Sequence, residues 1–182
     1  SRKEPDILYT VGTLVEDSGT FRPSFFTFSL SNNSVVRFSN LASEVMPPDS
    51  FTRRFVVNPD ETKAYFGWFQ MDDRGSGNFN VFDLDGFQVL SSTPMDNGVT
   101  DFAVNERTGK VYIIGFWAGG GAPQKLPIME YDLSTNGVVR KMMMSPSSDQ
   151  RAIALDHTND NYLYMTEGDF NLIRRVDISA GR

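Results

Sequence analysis

Glu167, Asp169, Asn58, Asn105 and Asp156 are the side chains whose types and placement could hold a hard cation. Such ions take several oxygen ligands from carboxylates, amides and carbonyls. All five lie at the ends of apolar runs or in the polar turns that follow them. Three of them share a further property. Asn58, Asn105 and Asp156 close the runs Phe55-Val56-Val57, Phe102-Ala103-Val104 and Ile153-Ala154-Leu155, so they hold equivalent positions in successive segments. Repeated placement favours a repeated structural task. Asn and Asp side chains bond to backbone a residue or two further on, and capping a turn is the reading preferred over metal binding. His157 is the sole histidine and sits in the polar turn that begins at Asp156. A nucleophilic triad would want a Gly-x-Ser-x-Gly elbow, which the sequence lacks. Gly119-Gly120-Gly121 is followed by no Lys-Ser or Lys-Thr, so it is not a phosphate loop.

Composition narrows the chemistry further. The chain has no cysteine and one histidine, which excludes a disulfide, a thiolate zinc site, a cysteine nucleophile and any multi-histidine metal centre. Its 182 residues, 40% hydrophobic and 22% charged, suit one globular domain with a real core. A net charge of −6 argues against nucleic acid as the main partner. No apolar run approaches the roughly 18 residues of a membrane-spanning helix, so no membrane insertion is expected. The N-terminal Ser1-Arg2-Lys3-Glu4-Pro5-Asp6 shows no apolar core of a signal peptide. The C-terminal Ile178–Arg182 stops where a turn should lead into another strand, so further sequence is expected there.

The elements that carry these residues repeat. Tyr9, Tyr65, Tyr112 and Tyr164 recur at a spacing of about 50 residues, within the range of propeller blades. Each lies in a short apolar run: Leu8–Gly12, Ala64–Gly67, Val111–Gly115 and Leu163–Thr166. A third element follows in every copy, namely Phe25–Leu30, Phe79–Leu84, Ile128–Leu133 and Ile173–Ile178. Its apolar and polar residues alternate, and a turn rich in Asn and Gly closes it, which is a strand-and-hairpin signal. Three copies add a fourth strand, at Val35–Phe38, Phe87–Leu90 and Val138–Met142. Asn136-Gly137 is the strongest hairpin cue. The pattern predicts an all-β chain, a β-propeller of about four repeats of four-stranded antiparallel blades. It forms a single region, 1–182, with blades at roughly 1–46 (incomplete), 51–95, 99–145 and 150–182 (incomplete). The first copy lacks its inner strand and the last its outer one, giving about fourteen strands. An arc of a larger propeller is therefore preferred over a closed four-bladed ring.

The stretch Leu163-Tyr164-Met165-Thr166-Glu167-Gly168-Asp169-Phe170-Asn171-Leu172-Ile173-Arg174-Arg175-Val176-Asp177 resembles a repeat of the six-bladed NHL and YWTD propellers. There a Tyr-Trp-Thr-Asp-like strand leads to Asn-x-Ile-Arg-x-Val-Asp; here Met165 and Glu167 replace the Trp and Asp. The other copies keep the Tyr and the later apolar-Asp-apolar pattern, with Ser29 in place of that Asp in the first. The resemblance implies an extracellular protein-binding module and carries over no catalytic residue. Such a module binds other protein chains, among them the rest of a propeller or a larger assembly, and needs no cofactor. The long loops between second and third strands, with Asp17, Asp72, Asp73, Arg74, Trp117 and Gly120, are the expected partner-binding surface. The alternative is a hydrolase resembling the sugar lactonases of six-bladed type, with Ca²⁺ in the central channel held by Glu167, Asp169, Asn105 and Asn58. The doublets Arg53-Arg54, Arg140-Lys141 and Arg174-Arg175 read as solvated strand residues.

Overall fold

A computed structural model describes residues 1, 3–15, 19, 21–70, 75–95, 97–115, 126–143, 150–167 and 172–180. Its strands are β1 (Ile7–Val15), β2 (Phe21–Ser29), β3 (Ser34–Asn40), β4 (Phe51–Val57), β5 (Lys63–Phe69), β6 (Gly77–Asp83) and β7 (Gln88–Met95). They continue as β8 (Asp101–Asn105), β9 (Lys110–Ile114), β10 (Pro127–Asp132), β11 (Gly137–Met143), β12 (Gln150–Leu155), β13 (Tyr162–Glu167) and β14 (Leu172–Asp177). No helix occurs among the described residues. The fourteen strands form four sheets, β1-β2-β3, β4-β5-β6-β7, β8-β9-β10-β11 and β12-β13-β14. In each sheet every strand pairs antiparallel with its neighbour in sequence, so each is a simple meander and reads as one propeller blade.

Period-two alternation puts successive side chains on opposite faces of a strand, and here both faces are apolar. In the second blade Ala64, Phe66, Trp68 and Phe82 pack backward onto Tyr9, Val11 and Phe25 of the first. The alternate residues Tyr65, Phe79 and Val81 pack forward onto Phe102, Val111, Ile113 and Tyr131 of the third. The third blade in turn directs Tyr112, Ile114, Ile128 and Met142 onto Ile153, Leu163, Met165 and Val176 of the fourth. This accounts for the adjacent aromatics of the sequence. Phe25 and Phe26, or Trp68 and Phe69, are neighbours that serve opposite sides of one sheet.

The hairpins between third and fourth strands follow one pattern. Four-residue turns, 30–33, 84–87 and 133–136, end on Asn33, Phe87 and Asn136, each with φ between 52° and 56°. A register shift lies just before the turn at the same point in each of these three blades, after Thr27, Val81 and Glu130. Phe87, expected in a strand, is thus a turn residue. Its left-handed backbone is uncommon for a bulky side chain, and it is held by burial and by the Arg37 guanidinium 3.9 Å above its ring.

The blades approach closely at glycines within or just after the second strands. A Cβ on Gly67 would lie 2.2 Å from Val99 Cγ1, and one on Gly115 2.8 Å from the Asn97 Cβ. Val99 is buried and branched at Cβ, so it has little freedom to move aside. Gly67→Ala should therefore lower unfolding stability by about 1–3 kcal/mol in urea titrations; an unchanged midpoint would show that the strand connection yields.

Candidate functional site

The inner strands β4, β8 and β12 carry one buried charge. Asp101 is 6% exposed. Its Oδ2 accepts the Ile153 amide of the fourth blade at 2.9 Å, and its Oδ1 accepts the Phe102 amide at 2.9 Å. Arg54 of the second blade stands 3.6 Å from Oδ1. One carboxylate thus ties three blades together. Burial pushes its pKa up, against the opposing effects of the Ile153 amide, Arg54 and the Phe102 amide. Arg54, Asp101 and Ala152 hold the same repeat position, one residue before Phe55, Phe102 and Ile153. Opposite charges at one repeat position of adjacent blades are the sequence signal that could have revealed this clasp. Sequence reading began the third blade's first run at Phe102 and left Asp101 outside it, and it took Arg54 as merely solvated.

A second set of polar contacts runs between the fourth strand of each blade and a turn of the next. Arg37 covers Phe87. Ser91 donates to Asn136 Oδ1 and Thr93 to Asn136 O, both at 3.3 Å. Arg140 donates from Nη2 to Ile178 O at 2.7 Å and from Nε to Glu130 at 2.8 Å. Arg140 is therefore an interblade link rather than a solvated strand residue.

The side chains considered for a cation are engaged in turns. Asn58 Oδ1 accepts the amides of Thr62 and Lys63 at 2.9 and 2.8 Å. Asn105 Oδ1 accepts the Thr108 amide at 3.2 Å, and its Nδ2 donates to Asp160 of the next blade at 3.1 Å. Asp156 Oδ1 accepts the Thr158 amide and hydroxyl at 2.9 and 2.6 Å. His157 is exposed in the turn that follows. Glu167 ends β13, and its side chain and Asp169 lie outside the described residues. The loop positions Asp17, Asp72, Asp73, Arg74, Trp117 and Gly120 also lie outside them. Among the described residues, no three carboxylates or imidazoles gather as an ion site.

The Asp of the apolar-Asp-apolar pattern caps the next turn along. Asp132 and Asp177 accept from the amides of Ser134 and Ser179 at 2.7 and 3.0 Å. In the first blade Ser29 stands in that place, and Asp6 supplies the missing carboxylate. Its Oδ2 accepts from the Ser29 and Ser31 hydroxyls at 2.8 and 2.6 Å.

Two sheet faces have no neighbouring sheet against them among the described residues, although Phe26 on the second is itself buried. In the fourth blade Ala154, Tyr164 and Arg175 lie in one cross-strand row, with Ala152, Thr166 and Ile173 beside it. In the first blade Leu8, Phe28 and Val35 form one row, with Thr10, Phe26 and Phe38 beside it. Tyr164 is 39% exposed, whereas Tyr65 and Tyr112, at the same repeat position, are 1% and 6% exposed. Ile173 and Phe38 are 75% and 51% exposed.

No protein-family model and no curated protein sequence matches the chain. Among solved structures it is similar to the Dos1 propeller, with a TM-score of 0.65 at 10% identity over 93% of this chain and 45% of that one. It is also similar to the β-propeller domain of the trilobed protease from Pyrococcus furiosus (TM-score 0.52, 15% identity, 95% of this chain and 54% of that one). A luciferin-regenerating enzyme matches with a TM-score of 0.58 at 14% identity, over 96% of this chain and 60% of that one. The chain spans about half the length of these solved chains. At such identities the likeness establishes the fold, a β-propeller.

Two titrations follow from this geometry. Hydrogen bonds from Ser31 and Ser29 lower the pKa of Asp6, and those from Thr158 lower that of Asp156, below the ordinary 3.8. Groups shifted in that direction stabilise the fold fully above 3.8, and the contribution is lost as pH falls below it, so melting temperature should drop there. Asp101 has the opposite sign: its raised pKa makes ionisation a cost to folding that is complete at neutral pH and relieved on acidification. Asp101→Asn should thus gain on the wild type as pH rises from 4 to 7. Asp101→Ala, which orphans the Ile153 amide, should lose about 1–3 kcal/mol in denaturant titrations. Equal pH profiles for Asp101→Asn and wild type would refute the assignment.

Proposed function

We propose that the chain is a non-catalytic propeller module that binds other proteins through its open blade faces, its blade edges and its second-to-third-strand loops. What supports this reading is the engagement of the polar side chains that recur in the repeat: Asn58, Asn105 and Asp156 are occupied in turns, as expected of a scaffold that presents loops. On this reading the loops with Asp17, Asp72, Asp73, Arg74, Trp117 and Gly120 add specificity at the rim. The net charge of −6 favours protein over nucleic acid as the partner. The module is of the NHL and YWTD type and acts outside the cell. The Asp132 and Asp177 turn caps support the family reading, because they give the pattern's recurring Asp a defined task in this chain.

The competing reading is a Ca²⁺-dependent hydrolase, favoured by the likeness to the luciferin-regenerating enzyme. Its ligands would be Glu167, Asp169, Asn105 and Asn58. The Asn58 oxygen is already shared between two backbone amides, which counts against it.

Elemental analysis of the purified chain and a lactone-hydrolysis assay, with and without chelator, separate the two. The module reading expects no stoichiometric calcium and no turnover above the buffer rate. Calcium-dependent hydrolysis lost in Asn105→Ala, with melting temperature retained, would overturn it.

A further inference from the structure

We infer that Asn32 is an acceptor for an N-linked glycan. The inference rests on the reading of the chain as a module that acts outside the cell, because the transferase meets chains on a secretory route.

Asn32-Asn33-Ser34 is the one Asn-x-Ser or Asn-x-Thr triplet in the chain. That triplet is the acceptor pattern when its middle residue is not proline. It falls in the four-residue turn between β2 and β3, and all three of its residues are exposed. The Ser34 hydroxyl donates to Asn32 Oδ1 at 2.6 Å, so the two side chains that the pattern requires already touch. Among the described residues Asn32 Nδ2 donates to no acceptor, and this is the nitrogen that would carry the sugar.

The exposure of Asn32 does not depend on what precedes the first blade. The equivalent turns of the second and third blades do lie against a preceding blade. There the contact is made by the fourth residue of the turn, Phe87 under Arg37 and Asn136 with Ser91. The third residue, Gly86 or Thr135, is exposed in both. Asn32 holds that third position, and Asn33 holds the contacting one.

The location also leaves room for a glycan. β2 runs nine residues from the second-to-third-strand loop to this turn, about 30 Å at about 3.4 Å per residue. The glycan would stand at the far end of the blade from the loops assigned to partner binding. The turn is held without Asn32 Nδ2: Asp6 Oδ2 accepts from the Ser31 hydroxyl, and Asn33 takes the left-handed conformation at φ 53°.

The donor is a lipid-linked oligosaccharyl diphosphate. Asn32 Nδ2 bonds to the anomeric carbon of its first sugar as the bond from that carbon to the diphosphate oxygen breaks. The lipid diphosphate leaves with the electron pair, and the proton lost from Nδ2 passes to a base of the transferase. Nothing is oxidised or reduced.

Secretion of the intact chain from animal cells, behind a cleavable leader, tests the site. The wild type should exceed 20.4 kDa, and peptide N-glycosidase should remove the excess and leave an aspartate in place of Asn32. Asn32→Gln and Ser34→Ala should each lack the excess mass, with the circular dichroism and melting temperature of the glycosidase-treated wild type. Ser34→Thr should keep the excess. A secreted wild type of bare mass overturns the inference. So does an excess that persists in Asn32→Gln or Ser34→Ala, or one that the glycosidase leaves in place. The calcium and hydrolysis assays above do not depend on this outcome. Failure here leaves the binding-module reading to be judged by them, and calcium-dependent hydrolysis would overturn that reading with the glycan in place.

Discussion

A short antiparallel sheet with apolar side chains on both faces is not stable alone in water; each face must be covered. That constraint organises this molecule. Residues that alternate along β5 and β6 pack against different neighbouring sheets, so the second blade is sandwiched between the first and third. The third is held in the same way between second and fourth. Stacking sheets side by side satisfies both faces of the interior blades.

Apolar burial has no direction, and it does not by itself fix the angle or register between blades. Polar contacts do that here. At the inner strands Asp101 accepts from the amide that opens the next blade's apolar run and faces Arg54 of the preceding one. At the outer strands Arg37, Ser91 and Arg140 each reach a turn of the following blade, by three different chemistries. The repeat conserves the reach of the fourth strand and leaves its means free. The turns are fixed separately, by Asn58, Asn105 and Asp156 after the first strands and by Asp132 and Asp177 after the third.

What could be read from the sequence was what repeats. The recurring tyrosines, the alternation and the turn residues yield fourteen strands, the meander order and the sheets that hold three strands instead of four. The adjacent aromatics also became intelligible once both faces of a blade were taken as buried. What escaped was what occurs once. Asp101 belongs to a position where its repeat equivalents are Arg54 and Ala152, so no shared residue type marks it and only the opposite charges of adjacent copies point to it. Phe87 looks like a strand residue because it is large and apolar; its burial against Phe25 and Phe82 and the cation stacked above it explain its place in a turn. Which blade face would remain open depends on the order of the sheets, and no local pattern around Tyr164 distinguishes it from Tyr112.

The first hairpin has a dependence that its counterparts lack. In the third and fourth blades the carboxylate that closes the turn lies two residues before the serine it binds, Asp132 to Ser134 and Asp177 to Ser179. In the first blade it comes from Asp6, whose bond to Ser31 crosses 25 residues. The same leading segment is fastened to the second blade, where the Lys3 amide donates to Glu61 at 3.2 Å. A closure that elsewhere forms within a few neighbouring residues here waits on a long-range loop, and long-range loops are slow to form. The hairpin of the first blade should consequently be a late arrival in folding, completed when the leading strand returns across it and not when its own turn first bends.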